Sequence, residues 1–231
     1  QVQNLLQSAL GYAEELAVSL YGCYQKAVTI YNLPSAFMVS LTACIVPAVS
    51  AALTKKDKVG AGKIAESALR VGAMLALPAG IGLTVLAGPI IQLLYPETNQ
   101  EVGTQCLMVL GIASIFVCIM LLCNAILQAN GRTALPIWFI AIGSAIKLGV
   151  NFVLVQMPSV GIKGAPVGTL VCFGIVSVLE LAAIKRVTPH PPKYLRVFGK
   201  AAVAAVLMGA AAWASYGLLS GHFGNTLSVA G

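Results

Sequence analysis

The sequence predicts an all-α polytopic membrane protein with about six transmembrane helices. Three observations carry that expectation. About 58% of the 231 residues are apolar. Only 9% are charged, against roughly 25% in a soluble domain, which is too few to cover a soluble surface. The apolar residues also fall in long runs with few or no charges, each near the roughly 20 residues that a bilayer crossing requires. The mean hydropathy of +0.90 agrees. A spanning β-barrel would need segments of about 10 residues alternating apolar and polar; these runs are continuous and about twice as long. Disorder, collagen-like repeats and a disulfide scaffold are excluded by the same composition.

The spans can be placed by charge-free length. The first covers about Ala27 to Leu53 and extends upstream, because Gly11 to Tyr31 also reads as helix. Pro34 should kink or open it by removing one backbone hydrogen bond, and Pro47, Pro78 and Pro89 suggest further bends. The second span covers about Val71 to Leu94. Ahead of it, Lys63, Glu66 and Arg70 share one face of a short helix, read either as a lever on the membrane surface or as the solvated first turn of the second span. The third covers about Val102 to Leu127, the fourth Leu135 to Val155, the fifth Gly164 to Ile184 and the sixth Phe198 to Leu219. Gly161, Gly164 and Gly168 lack the preceding strand and following Lys-Ser/Thr of a phosphate loop. They read as close packing of the fifth span.

The net charge is +7, and its distribution gives an orientation. Lys55, Lys56, Lys58, Lys63 and Arg70 lie between the first and second spans. Arg132 lies between the third and fourth, and Lys185, Arg186, Lys193, Arg196 and Lys200 lie around the connection from fifth to sixth. These alternate connections are expected in the cytoplasm. The charge excess then needs no nucleic-acid partner, and no basic stripe with interleaved aromatics accompanies it. The six cysteines have no C-x-x-C spacing and no histidine nearby, so they read as small fillers of helix interfaces rather than zinc ligands or disulfides. Neither a metal nor any cofactor is expected. The chain starts Gln1-Val2-Gln3 and stops at Gly231 shortly after an apolar run, so it is read as part of a longer protein.

Polar residues inside the spans are the candidate functional groups. A charge at the bilayer centre costs about 2.5–3.5 kcal/mol on insertion scales, so it must find water, a partner or a ligand. Lys147 is near the middle of the fourth span, and Ser144, Lys147 and Asn151 form one stripe at i, i+3 and i+7. The stripe either faces a hydrated cavity and offers N–H donors to an anion, or Lys147 snorkels or pairs internally with Glu180. Tyr24, Lys26 and Asn32 mark the outer part of the first span, either as the outer wall of an anion-accepting pocket or as an interfacial aromatic belt. Asn124 and Gln128 read as interhelical hydrogen-bonding groups. Paired carboxylates and nucleophilic constellations are lacking, so an enzyme is not expected.

A series of short motifs then carries a resemblance. Leu33-Pro34 and Val46-Pro47-Ala48-Val49-Ser50-Ala51-Ala52 close the first span before a basic loop. Leu77-Pro78, Gly82-Leu83 and Val85-Leu86-Ala87 precede Pro89-Ile90 and Leu93-Leu94-Tyr95. Gly131-Arg132 and Leu135-Pro136 open the fourth span; Gly161-Ile162-Lys163-Gly164-Ala165 and Gly168-Thr169 open the fifth. Taken in order, over roughly Leu16 to Arg186, the series resembles the polysaccharide-biosynthesis flippases similar to stage V sporulation protein B, within the multidrug/oligosaccharidyl-lipid/polysaccharide exporter superfamily.

The resemblance implies about fourteen helices in two bundles, with this chain supplying most of the C-terminal bundle and partnering an N-terminal half of the same protein. It implies a multi-pass protein of the bacterial cell membrane that carries an undecaprenyl-pyrophosphate-linked oligosaccharide, such as lipid II or a polysaccharide repeat unit, among membrane lipids. Related lipid II flippases carry an essential basic residue shortly before the Leu-Pro of the eighth helix. The nearest here is Lys26, about a turn earlier. Two other readings compete: a multidrug/cation antiporter, for which Glu180 is the available buried acid, and a membrane scaffold for cell-envelope polymer synthesis that transports nothing.

Overall fold

The structure is a computed structural model that describes residues 14–96, 99–155, 161–188 and 194–229. Seven α-helices and one 3-10 turn follow one another along these residues, with no strand among them: α1 (Glu14–Thr54), α2 (Lys58–Val85), α3 (Ala87–Leu94), α4 (Gln100–Ala129), α5 (Ala134–Val155), the turn Gly161–Lys163, α6 (Gly164–Val187) and α7 (Tyr194–Val229). Six of these helices are long and apolar enough to cross a membrane. The connections at 156–160 and 189–193, the latter including His190 and Lys193, lie outside the described residues.

Local chemistry explains where the helices start and stop. Lys58 to Arg70 continues directly into the second span, so the charged face is the first part of α2. Asp57 caps it, its carboxylate accepting from the Gly60 N–H at 2.8 Å, and Arg70 reaches back to Glu66 at 3.2 Å. Asn99 caps α4 in the same way by accepting from the Val102 N–H. The second predicted span divides at Leu86. Pro89 accounts for this: it has no N–H for the Val85 carbonyl, and its ring crowds that carbonyl. By contrast, α1 runs unbroken through Pro34 and Pro47, so the expected opening at Pro34 does not occur. Its 41 residues make a rod of about 60 Å, roughly twice the hydrocarbon thickness of about 30 Å.

Helix α4 is the centre of the bundle. It packs against α1, α2, α3 and α6, while α5 leans mainly on α6 and α7 on α2. Cys106, Leu107, Leu110, Ala113, Cys118, Leu122 and Ile126 are all buried along it. The core has two main parts, one at each end. At one end Ile45, Val49, Ala65, Leu127, Ile184 and Val197 pack together; at the other, Ala27, Ile30, Ile91, Cys106, Ile162 and Ala165 do so. The first is the end with the basic connections. There Ser50 at the end of α1 donates to the Ala129 carbonyl at the end of α4. At the opposite end Lys163 and Glu101, from the two weakly charged connections, form an ion pair at 3.3 Å. Five of the six cysteines are buried, Cys44 is exposed, and all six are free.

A polar seam along α6 as candidate binding site

Small residues at the start of α6 let its neighbours close in. Gly164 lies against Leu154, and Gly168 against the carboxamide of Asn151, leaving no space for a Cβ at either glycine. Two turns earlier on α5, Gly143 admits Val176 and Cys172 in the same way. The α5 face between Gly143 and Asn151 is therefore turned toward α6. Lys147 belongs to that face. It is half-buried and lies within electrostatic reach of Cys172. Asn151 is only 5% exposed, and its Oδ1 has no hydrogen-bond partner. Ser144, the third member of the predicted stripe, is exposed. The stripe thus turns from the bundle surface into the α5–α6 contact, with Lys147 between its two ends.

On the other side of α6, Tyr24 of α1 comes near Thr169, whose hydroxyl donates to the Ala165 carbonyl at 3.3 Å. Tyr31, two turns on, is buried and comes within reach of Cys172. Helix α5 packs along α6, whereas α1 comes near it through side chains of the shared core at its start. Tyr24, Tyr31, Thr169, Cys172, Lys147 and Asn151 therefore gather around the first three turns of α6. Tyr31 and Thr169 were not among the residues picked from sequence. Both look like ordinary helix residues until the tertiary contacts of Cys172 and Tyr24 are known.

Lys26 and Asn32 do not join Tyr24 at this seam. Lys26 Nζ lies 5.2 Å from the centre of the Tyr95 ring, beyond the end of α3. Asn32 is exposed, and its carbonyl accepts from the Ser35 hydroxyl at 2.7 Å. Tyr24, Lys26 and Asn32 thus point toward three different surroundings. Lys26 is 28 residues from Thr54, about 42 Å along the axis, which places it at or beyond one membrane surface when Thr54 lies at the other.

Glu180 is elsewhere again. It is fully buried at 0% exposure on the α4-facing side of α6, close to Cys123, and neither carboxylate oxygen has a hydrogen-bond partner. Lys147 does not pair with it. Cys172, beside Lys147, precedes Glu180 by eight residues, about 12 Å along α6. Asn124 also keeps a buried Oδ1 without a partner, while Gln128 is exposed. A separate groove of about 630 Å³ between α2, α4 and α7 is lined by Ile81, Val85, Met108, Val206 and Trp213, with Thr84. It offers an apolar surface and no cation.

With this geometry in hand, comparison with known proteins is decisive for the family. The family model described as "Lipid II flippase MurJ" matches residues 1–230. The chain belongs to the lipid II flippase MurJ family. Individual relatives agree. The chain is 32% identical over 177 residues to a protein described as "Uncharacterized membrane protein YabM" of Bacillus subtilis (strain 168), covering 76% of this chain and 32% of that protein. It is 27% identical over 183 residues to stage V sporulation protein B of the same organism, covering 78% and 34%. It is 28% identical over 148 residues to a probable lipid II flippase MurJ of Rickettsia prowazekii (strain Madrid E), covering 61% and 28%. The chain spans about a third of the length of the curated relatives it matches. No solved structure gives a significant match. Membership of the MurJ family and six membrane-crossing helices make this a multi-pass protein of the bacterial cell membrane.

Proposed function

We propose that this chain is most of the C-terminal bundle of a flippase for undecaprenyl-pyrophosphate-linked oligosaccharide, with lipid II as the substrate. Family membership supports the substrate class, and the placement of Lys147 supports the mechanism. Lys147 stands near the middle of α5, on the face turned toward α6, half-buried and within electrostatic reach of Cys172. There it can pair with a pyrophosphate that crosses between the two bundles.

Alternating access by two bundles moves such a substrate without covalent chemistry. The polyprenyl chain stays in lipid, and the sugar passes through the space that the N-terminal half completes. Lys26, stacked near Tyr95 at the opposite end from the basic connections, takes a second role: it attracts the charged headgroup at the membrane surface. The basic connections face the cytoplasm in this reading.

The test is translocation of lipid II in cells whose only copy is the full-length protein. Lys147→Ala should lower flux at least about tenfold, the effect of losing about 1.4 kcal/mol of a charge-assisted contact. Lys26→Ala should lower it less. Flux at the unsubstituted level in both variants would remove these lysines from the substrate path. Glu180 favours the multidrug/cation antiporter as the second reading, since that exchange needs a buried acid. Drug resistance that collapses with a proton uncoupler, in cells without lipid II transport by this protein, would select it.

A further inference from the structure

Glu180 plays no part in the substrate path described above, yet its surroundings are unusual for a carboxyl group. Among the described residues it is the one charged residue with a fully buried large side chain. Both of its oxygens lack a partner. An ionised carboxylate taken out of water with neither a cation nor donors is strongly disfavoured, and such a group takes up a proton instead. No neighbour offers the missing charge. From α4 the titratable group facing it is Cys123. From α5 the only ionisable residue is Lys147, two turns away beside Cys172. On α6 itself, Lys185 and Arg186 are exposed beyond it. Lys200 of α7 instead lines a hollow with Arg70 and Met74 of α2.

The nearest exposed charged residues on α6 are Lys185 and Arg186, about 8–9 Å further along its axis. A cavity of about 320 Å³ lies between α5 and α6, lined by Leu179, Ala183 and Arg186 among others. Leu179 and Ala183 flank Glu180 on the helix, and Arg186 stands at the basic end. The cavity is on the α5 side of α6 and the carboxyl on the α4 side, so the proton leaves only when the packing around Glu180 opens.

We propose that Glu180 is a proton-binding site. Its carboxyl oxygen holds a proton while α4 and α6 are packed as they are here. It gives that proton to water at the basic end of α6 when the contact opens. The inference rests on the flippase reading only in tying release to the transport cycle.

The experiment uses the full-length protein in membranes, with dicyclohexylcarbodiimide, a small apolar reagent that adds to protonated carboxyls, as the probe. Mass spectrometry at neutral pH should find one adduct on the α6 peptide, absent from Glu180→Gln. The exposed Glu101 and the ion-paired Glu66 should stay unmodified. In parallel, lipid II flux is measured under imposed pH gradients, where the unsubstituted protein should respond severalfold and Glu180→Gln should not. A missing adduct on Glu180 overturns the proposal even if flux is normal. So does a Glu180→Gln variant with an unaltered pH response. An adduct in a protein that moves no lipid II supports proton binding and overturns the flippase reading instead.

Discussion

Gly80 of α2 and Gly111 of α4 meet backbone to backbone. A Cβ at Gly80 would come within 2.7 Å of the Gly111 carbonyl oxygen, and one at Gly111 within 2.8 Å of the Thr84 nitrogen and 3.0 Å of the Gly80 carbonyl oxygen. Thr84 secures the crossing. Its hydroxyl donates to the Gly80 carbonyl at 2.8 Å and is within 3.2 Å of the Met108 carbonyl across the interface. Small residues allow such close approach in membranes, where packing replaces the hydrophobic drive between helices.

Gly111→Ala should therefore destabilise the protein, by about 1–3 kcal/mol as in other overpacked cores. Gly149→Ala is the contrast, because nothing lies within 4 Å of a Cβ there; it should be neutral or gain up to about 1 kcal/mol of helix propensity. Thermal unfolding of the detergent-solubilised full-length protein reads both. Equal midpoints for the two variants would mean that α2 and α4 do not touch at Gly111.

Gly168→Ala should be damaging through one neighbour, Asn151. Shortening that neighbour should relieve it. In a double-mutant cycle with Asn151→Ala, the pair should couple by about 0.5–3 kcal/mol. Strict additivity would separate the two residues.

The Lys26–Tyr95 contact is modest but specific. Tyr95→Phe should keep most of it and Tyr95→Leu should lose it. The coupling to Lys26→Ala should be about 0.5–1 kcal/mol, as for a cation–π pair that keeps part of its surface in water. A Phe variant that behaves like the Leu variant would assign the contact to something other than the ring face.

At the start of α2, the cap should outweigh the ion pair. Asp57→Ala removes the acceptor for the Gly60 N–H and should cost about 1 kcal/mol. Glu66→Gln breaks a solvent-exposed i, i+4 pair with Arg70 and should cost about 0.5 kcal/mol or less. Unfolding midpoints in the reverse order would contradict the cap.

Much of the fold was legible because the bilayer reduces it to apolar run lengths. What the runs could not give were positions set by single contacts. Of the two readings of Lys63, Glu66 and Arg70, a surface lever or the solvated start of the second span, the structure has the second, since a capped first turn tolerates charge outside the lipid. Pro89 stops a helix whereas Pro34 does not, and nothing in the residue itself distinguishes them. For the site, Lys147 and Glu180 were visible as charges in apolar runs. Tyr31 and Thr169 were not, because only the approach of α1 to α6 gives them a shared purpose. The glycines at 161, 164 and 168 were read as packing, and Gly164 and Gly168 do admit α5.

The enclosure of α4 by four neighbours has a mechanical meaning. A rod held by four neighbours behaves as an axle, whereas α5 and α7 are outriggers, each braced chiefly by a single partner. Turning either outrigger about its one supporting helix leaves the axle's own contacts in place, so the bundle can reshape its flanks while its spine keeps its register.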